Sequence, residues 1–261
     1  MEMQGKNVVY VGGFGGIGFA TCKLLIQKKV ANLFVIDLVL NEPLMKELKA
    51  LGASSGTQVN FEQLDLCKKE QIPEVLKKII AQISYIDILV NGSGMINDHK
   101  PEQTMGVNLM GLIYTTLAAI PYMDKSNGGR GGMIVNIASV LGLEPCSCLA
   151  IYTASKHGVM GFTRSIADEF YYEKTGIAVM AICPGITMTG LWHEFDGNDT
   201  FPYSTQLSKK FFSAEHQSAE ECAVNFVKAM ETGKNDSIWI LDLGKLEEVK
   251  PKVYWTTTHN N

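Results

Sequence analysis

Runs at Lys6–Val11, Asn32–Ile36, Ile86–Val90, Met133–Ile137 and Ile177–Ile182 are apolar almost throughout, with no polar residue at every second position. A strand of this kind has both faces covered, which is the condition of a parallel sheet packed between helices. Two more polar segments, Gln58–Leu64 and Ser237–Leu243, complete a set of seven strands. Between the strands lie segments of helical period: Ile17–Lys28, Glu42–Leu51, Ile72–Ile83, Thr104–Met123 and Ile151–Tyr172. In Ile72–Ile83 the residues Ile72, Val75, Ile79 and Ile83 share one face, and Pro73 suits the first turn. Regular strand–helix alternation predicts an α/β fold: one domain over residues 1–261, doubly wound, with a seven-stranded parallel sheet and helices on both faces.

Two stretches fall outside this pattern. Residues 187–218 mix Trp192, Phe195, Phe201, Tyr203, Phe211 and Phe212 with polar residues, and a long irregular segment in a compact domain is usually functional. We read it as a substrate loop. The tail, residues 245–261, holds Val253, Tyr254 and Trp255, aromatics that need a surface to pack on.

Bulk properties exclude several functions. A net charge of −4 argues against a nucleic-acid or anionic-lipid surface. The longest apolar stretch, Leu109–Met123, is short for a membrane span and contains Pro121. The N-terminus runs straight into a strand, which predicts no signal peptide and a cytoplasmic protein. Six cysteines without a Cys-x-x-Cys pair, and five scattered histidines, predict reduced thiols and no metal.

The first strand opens into Gly12-Gly13-Phe14-Gly15-Gly16-Ile17-Gly18 and then a helix. Glycines here let the backbone approach a pyrophosphate, whose charge a helix N-terminus favours. The string alone fits a Rossmann-type dinucleotide site or only a tight strand–helix turn, and Asp37, unless it merely caps the next turn, favours the first. Asp37 ends the second strand, where a carboxylate accepts hydrogen bonds from an adenosine ribose and repels a 2′-phosphate. No arginine occupies Gly12–Gly18 or Leu38–Leu40, so NAD is favoured over NADP. Further along stand Ser139, Tyr152 and Lys156. Tyr152 and Lys156 are four residues apart and share a helical face. A phenol of pKa about 10 needs roughly 4 kcal/mol to ionise near neutrality. A cation about 4 Å away contributes on the order of 4 kcal/mol at an effective dielectric near 20. The pair is therefore a candidate general base.

These residues resemble the short-chain dehydrogenase/reductase family from about Lys6 to Gly244. Gly12-x3-Gly16-Ile17-Gly18 is similar to its cofactor signature, and Asn91-Gly92-Ser93-Gly94 to its Asn-Asn-Ala-Gly turn. Asn108, Ser139, Tyr152 and Lys156 match a catalytic tetrad. Cys183-Pro184-Gly185-Ile186-Thr187 resembles the segment that meets the nicotinamide, and Asp65 an adenine-contacting aspartate, although a helix-cap role suits Asp65 nearly as well. Val11 and Gly92 depart from the family's usual threonine and asparagine. Lys6–Val11, Leu141-Gly142-Leu143-Glu144-Pro145 and Ile238–Gly244 resemble the insect-type alcohol dehydrogenase and fat-body protein branch.

That resemblance implies an NAD-dependent homodimer oxidising primary and secondary alcohols. Tyr152 would take the alcohol proton, Ser139 hold the oxygen, and Lys156 lower the phenol pKa and bind the nicotinamide ribose. Asn108 would fix a water beside Lys156, and Thr187 would bond the carboxamide. Leu143, Leu149, Ile186, Leu191 and Trp192 are candidates for an apolar substrate wall. The segment Tyr152–Ser165 also resembles hydroxyprostaglandin dehydrogenases, which keeps a larger hydroxylated prostanoid, retinoid or terpenoid open as substrate. A third reading is a fat-body storage or binding protein with little activity.

Overall fold

The computed structural model describes residues 1–191 and 197–252. Its centre is an eight-stranded sheet. In chain order β1 is Asn7–Val11, β2 Asn32–Asp37, β3 Gln58–Gln63, β4 Ile88–Asn91, β5 Gly132–Ile137 and β6 Ile177–Pro184. Two-residue strands β7 (Thr187–Met188) and β8 (Gln217–Ser218) pair apart from it, and β9 (Ile238–Asp242) and β10 (Lys245–Val249) complete it. The spatial order is β3-β2-β1-β4-β5-β6-β9-β10. All neighbours are parallel except β9 and β10.

The uniform apolarity of the inner strands follows from two cores. Val8, Tyr10, Leu33, Val35, Ile88, Val90, Met133 and Val135 point to one face, against helices α1 (Gly16–Gln27), α2 (Glu42–Ser55) and the later Ala219–Thr232. Val9, Val11, Phe34, Ile36, Leu89 and Ile134 point to the other, against α3 (Gln71–Ile83) and the helix ending at Met123. Each strand alternates between two buried layers, so no polar position is left over. Chain order reverses between β1 and β4, and the C-terminal ends of strands at such a switch point flank the crevice where ligands bind in this architecture.

Three expectations need correction. The sheet has an eighth strand, because Leu243 and Gly244 turn with positive φ and send Lys245–Val249 back antiparallel along β9. This segment was read as the start of a tail because its polar residues suit an exposed edge. Val253, Tyr254 and Trp255 lie outside the described residues. The predicted helix Ile151–Tyr172 is two helices, α6 (Ala150–Ile166) and α7 (Glu169–Thr175), separated where the Asp168 side chain accepts from the Phe170 amide and caps the second. Residues 187–218 carry more regular structure than predicted: β7, a 3-10 turn at Pro202–Ser204, α8 (Thr205–Phe212) and β8. The last long helix, α9, is Ala219–Thr232 and opens with a reciprocal Ser218–Glu221 cap.

The helical stretch Pro101–Met123 is also longer than the apolar run within it. It comprises α4 (Pro101–Met105), a π turn (Gly106–Gly111) and α5 (Leu112–Met123). Its 23 residues reach the length and hydropathy of a membrane span. They also place the polar side chains of Thr104, Asn108, Thr115 and Thr116 in the protein interior, and Ala119 and Met123 in the second core.

Candidate active site

A cleft of about 640 Å³ opens at the C-terminal ends of β1, β2, β4, β5 and β6. One end is built by backbone. Gly12, at φ +83, reverses the chain after β1, and a Cβ there would stand 2.6 Å from the Ser93 nitrogen. A Cβ on Gly18 would collide with the Gly12 carbonyl oxygen. The first turn of α1 has no side-chain cap and no acidic residue. Its positive end and free amides are therefore open to an anion. Asp37 lines the same end; its Oδ2 accepts from Phe14 N at 3.0 Å and its Oδ1 from Leu38 N at 2.8 Å. Gly16, Ile17, Gly92 and Asp65 line it too. Asp65 also takes the cap role, its Oδ1 accepting from Cys67 N at 3.0 Å. These features fit a dinucleotide: a cradle that side chains would fill, a helix terminus for the phosphates, and a carboxylate for the ribose.

The other end is built by side chains. Ser139 follows β5, and its Oγ accepts from Leu141 N at 3.1 Å. Tyr152 and Lys156 project from the first turns of α6, and all three residues line the cleft. Lys156 Nζ donates to the Ile137 carbonyl at 3.0 Å and stands 5.6 Å from the centre of the Tyr152 ring. Burial pushes the Tyr152 phenol up to about 12, against a smaller lowering by the Ser139 hydrogen bond. Burial also lowers the Lys156 ammonium to about 8, against a smaller raising by Cys183. Desolvation of a phenol only 6% exposed raises its pKa, and the Lys156 ammonium beside it is engaged by the Ile137 carbonyl.

Asn108 is fully buried in the π turn. Its Nδ2 donates to Met95 O at 3.0 Å and Ser155 Oγ at 3.1 Å, and its Oδ1 accepts from Met95 N at 2.8 Å. It ties the loop after β4 to α6. A Cβ built on Gly94 would lie 3.6 Å from both Asn108 Oδ1 and Lys156 Nζ, so both groups border Gly94. Pro184, Gly185, Ile186 and Thr187 line the cleft after β6. Gln217 Nε2 donates to Thr187 Oγ1 at 3.1 Å, which in turn donates to Gly185 O at 3.0 Å.

Of the predicted wall, Leu149, Ile186 and Leu191 line the cleft. Leu143 instead packs against a core formed by Leu112, Ala138 and Val159. Trp192 lies outside the described residues. Asn91 also faces inward, its Nδ2 donating to Thr116 and Asn136; Gly92, Ser93 and Gly94 after it line the cleft. Met95, Ile96 and Val140 line the cavity without having been singled out, and Leu141, quoted only for its motif, lines it too. Ile96 and Leu141 follow assigned motifs within a few residues, and that adjacency was the available signal.

A family model for the short chain dehydrogenases matches residues 6–199. Alcohol dehydrogenase 1 of Ceratitis cosyra is 48% identical over 99% of this chain and 100% of its own length. Fat body protein 2 of Drosophila melanogaster is 42% identical over 97% of this chain and 98% of its own. Among solved structures, a short chain dehydrogenase/reductase from Burkholderia phymatum in complex with NAD superimposes with a TM-score of 0.76 at 21% identity, covering 91% of this chain and 90% of that one.

Proposed function

The chain belongs to the short-chain dehydrogenase family, and on that premise we propose that it oxidises primary and secondary alcohols to aldehydes and ketones with NAD. The observation that carries this reading is convergence. Ser139, Tyr152 and Lys156 open onto the same cleft as the glycine turn and Asp37. Relatives named alcohol dehydrogenase, 45–48% identical over nearly the whole chain, support the alcohol as substrate.

Gly12, Gly16, Ile17 and Gly18 would hold the pyrophosphate, Asp37 the adenosine ribose, and the Pro184–Thr187 segment the nicotinamide. Bound there, NAD would supply the hydride acceptor and a positive charge beside the phenol. Ser139 Oγ holds the alcohol oxygen. Tyr152 would take the hydroxyl proton, and Lys156 would hold the nicotinamide ribose and offset part of the desolvation of the phenolate. Asn108 fixes the loop after β4 against α6, and with it the spacing between Gly94 and Lys156. Because burial holds Tyr152 well on the protonated side at neutral pH, oxidation should accelerate as pH rises from 6 to 9. A flat profile of kcat/KM for the alcohol over that range removes Tyr152 as the base.

The deciding experiment is a steady-state assay with NAD and alcohols from ethanol to farnesol. Turnover on short alcohols supports this proposal. Turnover only on long ones moves the substrate to a hydroxylated lipid, a reading favoured by the apolar run Ile96, Leu141, Leu149 and Leu191 beside Tyr152. No turnover on any leaves a binding or storage role with little activity.

A further inference from the structure

Helix α6 carries Tyr152 and Lys156, yet it does not cap itself. Its N-cap residue is Leu149, which has no side-chain acceptor. The first three amides are instead served from elsewhere in the chain. Ala150 N donates to Thr200 Oγ1 at 2.7 Å, Ile151 N to Asp98 Oδ2 at 2.8 Å and Tyr152 N to Asp98 Oδ1 at 2.9 Å. Thr153 N is the first to find an acceptor within the helix region, Leu149 O. Thr200 Oγ1 donates in turn to Asp98 Oδ2 at 2.6 Å. Two backbone bonds complete the junction: Thr200 N to Cys148 O at 2.9 Å and Asp98 N to Asn198 O at 3.2 Å.

We propose that Asp98 and Thr200 are positioning residues for Tyr152, and that they make its placement depend on the middle of the 187–218 segment. Asp98 is 6% exposed and uses both oxygens on consecutive amides, one of them the amide of Tyr152 itself. A carboxylate so placed meets the positive end of the helix and makes charge-assisted bonds. It is anchored three residues beyond Met95, whose N and O are both bonded to Asn108. The loop after β4 therefore holds α6 at Ser155 through Asn108 and at its first turn through Asp98. Thr200 adds the third party. It lies within residues 187–218 and is held by its own amide on Cys148 O, so it fastens the first turn of α6 to that stretch. Loosening the junction should therefore displace Tyr152 and lower turnover together with helix order.

This inference rests on the proposed dehydrogenase activity, and one set of variants separates the two. Thr200→Val removes the hydroxyl at nearly constant volume, Thr200→Ser keeps it, and Asp98→Asn replaces one acceptor by a donor facing an amide. For each we would measure kcat and KM for the alcohol, Kd for NAD, and amide exchange at Ala150, Ile151 and Tyr152. Thr200→Val should lower kcat/KM for the alcohol about tenfold and Asp98→Asn on the order of 10²-fold, the scale of a misplaced catalytic group. Kd for NAD should stay within about twofold, and Thr200→Ser should recover most of the loss. Exchange at the three amides should be at least about tenfold faster in Thr200→Val than in the unmodified chain. Unchanged turnover in Thr200→Val overturns the proposal, as does a loss of NAD binding equal to the loss of turnover. If the unmodified chain oxidises no alcohol, the activity falls instead. The exchange rates then still decide whether Thr200 holds the helix, and unaltered rates in Thr200→Val reject it. Should Asp98→Asn fail to fold, the two Thr200 variants carry the decision.

Discussion

Two helix N-termini flank the same cleft and are treated in opposite ways. The first turn of α1 has neither a side-chain cap nor an acidic residue, and glycines keep its approach clear. The first three amides of α6 are taken up by Asp98 and Thr200. Both ends carry the partial positive charge of a helix terminus. Leaving one open and closing the other gives the phosphates of a dinucleotide a single place to settle. It also frees the surroundings of Tyr152 from a competing anion site. On the proposed function the difference divides the labour: the α1 side would select and hold the cofactor, and the α6 side would do the chemistry. Substitutions on the two sides should therefore fail in different measurements.

The sharpest break is Tyr152→Phe. It removes the proton acceptor with little change of volume, and turnover should fall toward the upper end of the about 10²–10⁴-fold that general-base catalysis supplies. Kd for NAD, measured by calorimetric titration, should stay within a few-fold. Retained turnover would end the assignment of Tyr152; a collapse of NAD binding would end the division between the two helices. Gly18→Ala is its mirror image. The added Cβ meets the Gly12 carbonyl, and the turn must shift. We expect NAD affinity to fall about 10²-fold, or roughly 2.7 kcal/mol, with kcat at saturating NAD close to that of the unmodified chain.

Lys156→Met tests what the α6 side costs the fold. Burial lowers the ammonium from 10.5 to about 8, which at neutral pH disfavours folding by about 3 kcal/mol. The variant also orphans the Ile137 carbonyl, worth about 1 kcal/mol. A net gain of about 2 kcal/mol in unfolding free energy is therefore expected at pH 7, together with lost turnover. The sign in pH follows from the protons bound. Between pH 8 and 10.5 the unfolded chain holds the Lys156 proton more tightly than the folded one, so the unmodified chain gains stability as pH rises. The advantage of the variant should shrink by about 1 kcal/mol from pH 8 to 9. Above pH 9 the buried thiols of Cys148, Cys183 and Cys222, all pushed up to about 12, pull stability the other way in both proteins. A constant difference between pH 8 and 9 would show that Lys156 is not desolvated.

The same division explains what could be read from the residues alone. The α1 side is local: strand, glycine turn, helix and the next strand end lie within Asn7–Asp37, and backbone requirements leave a pattern of glycines. The inner strands were equally plain, because two buried faces force continuous apolarity. The α6 side is assembled from distant segments. Asp98 meets amides 53 and 54 residues away, and Thr200 lies 102 residues from Asp98. A buried carboxylate bonded to backbone asks nothing of its partners' side chains, so it leaves no motif. Leu143 and Asn91 erred for a related reason. Their motifs give the position along the chain, but the direction of each side chain depends on packing with Leu112, Val159, Thr116 and Asn136. Strand β10 was missed because an edge strand needs no apolar pattern.

The mildest test concerns Asp37. Its carboxylate stands at the end of β2, with one oxygen on the Phe14 amide and the other on the Leu38 amide. Each oxygen keeps a second lone pair for a ribose hydroxyl. Asp37→Asn removes the charge that repels a 2′-phosphate and leaves one acceptor for two amides. NAD should bind several-fold more weakly and NADP several-fold more tightly, moving their ratio about tenfold, or 1.4 kcal/mol. The ratio should not invert, because no arginine lies at Leu38–Leu40 or Gly12–Gly18 to hold the phosphate. At saturating NAD, kcat should not change. An unmoved ratio would mean that Asp37 serves only its two amides. A lowered kcat would mean that the glycine turn reaches the reacting end after all, and the contrast between the two helix termini would then be one of capping without consequence for chemistry.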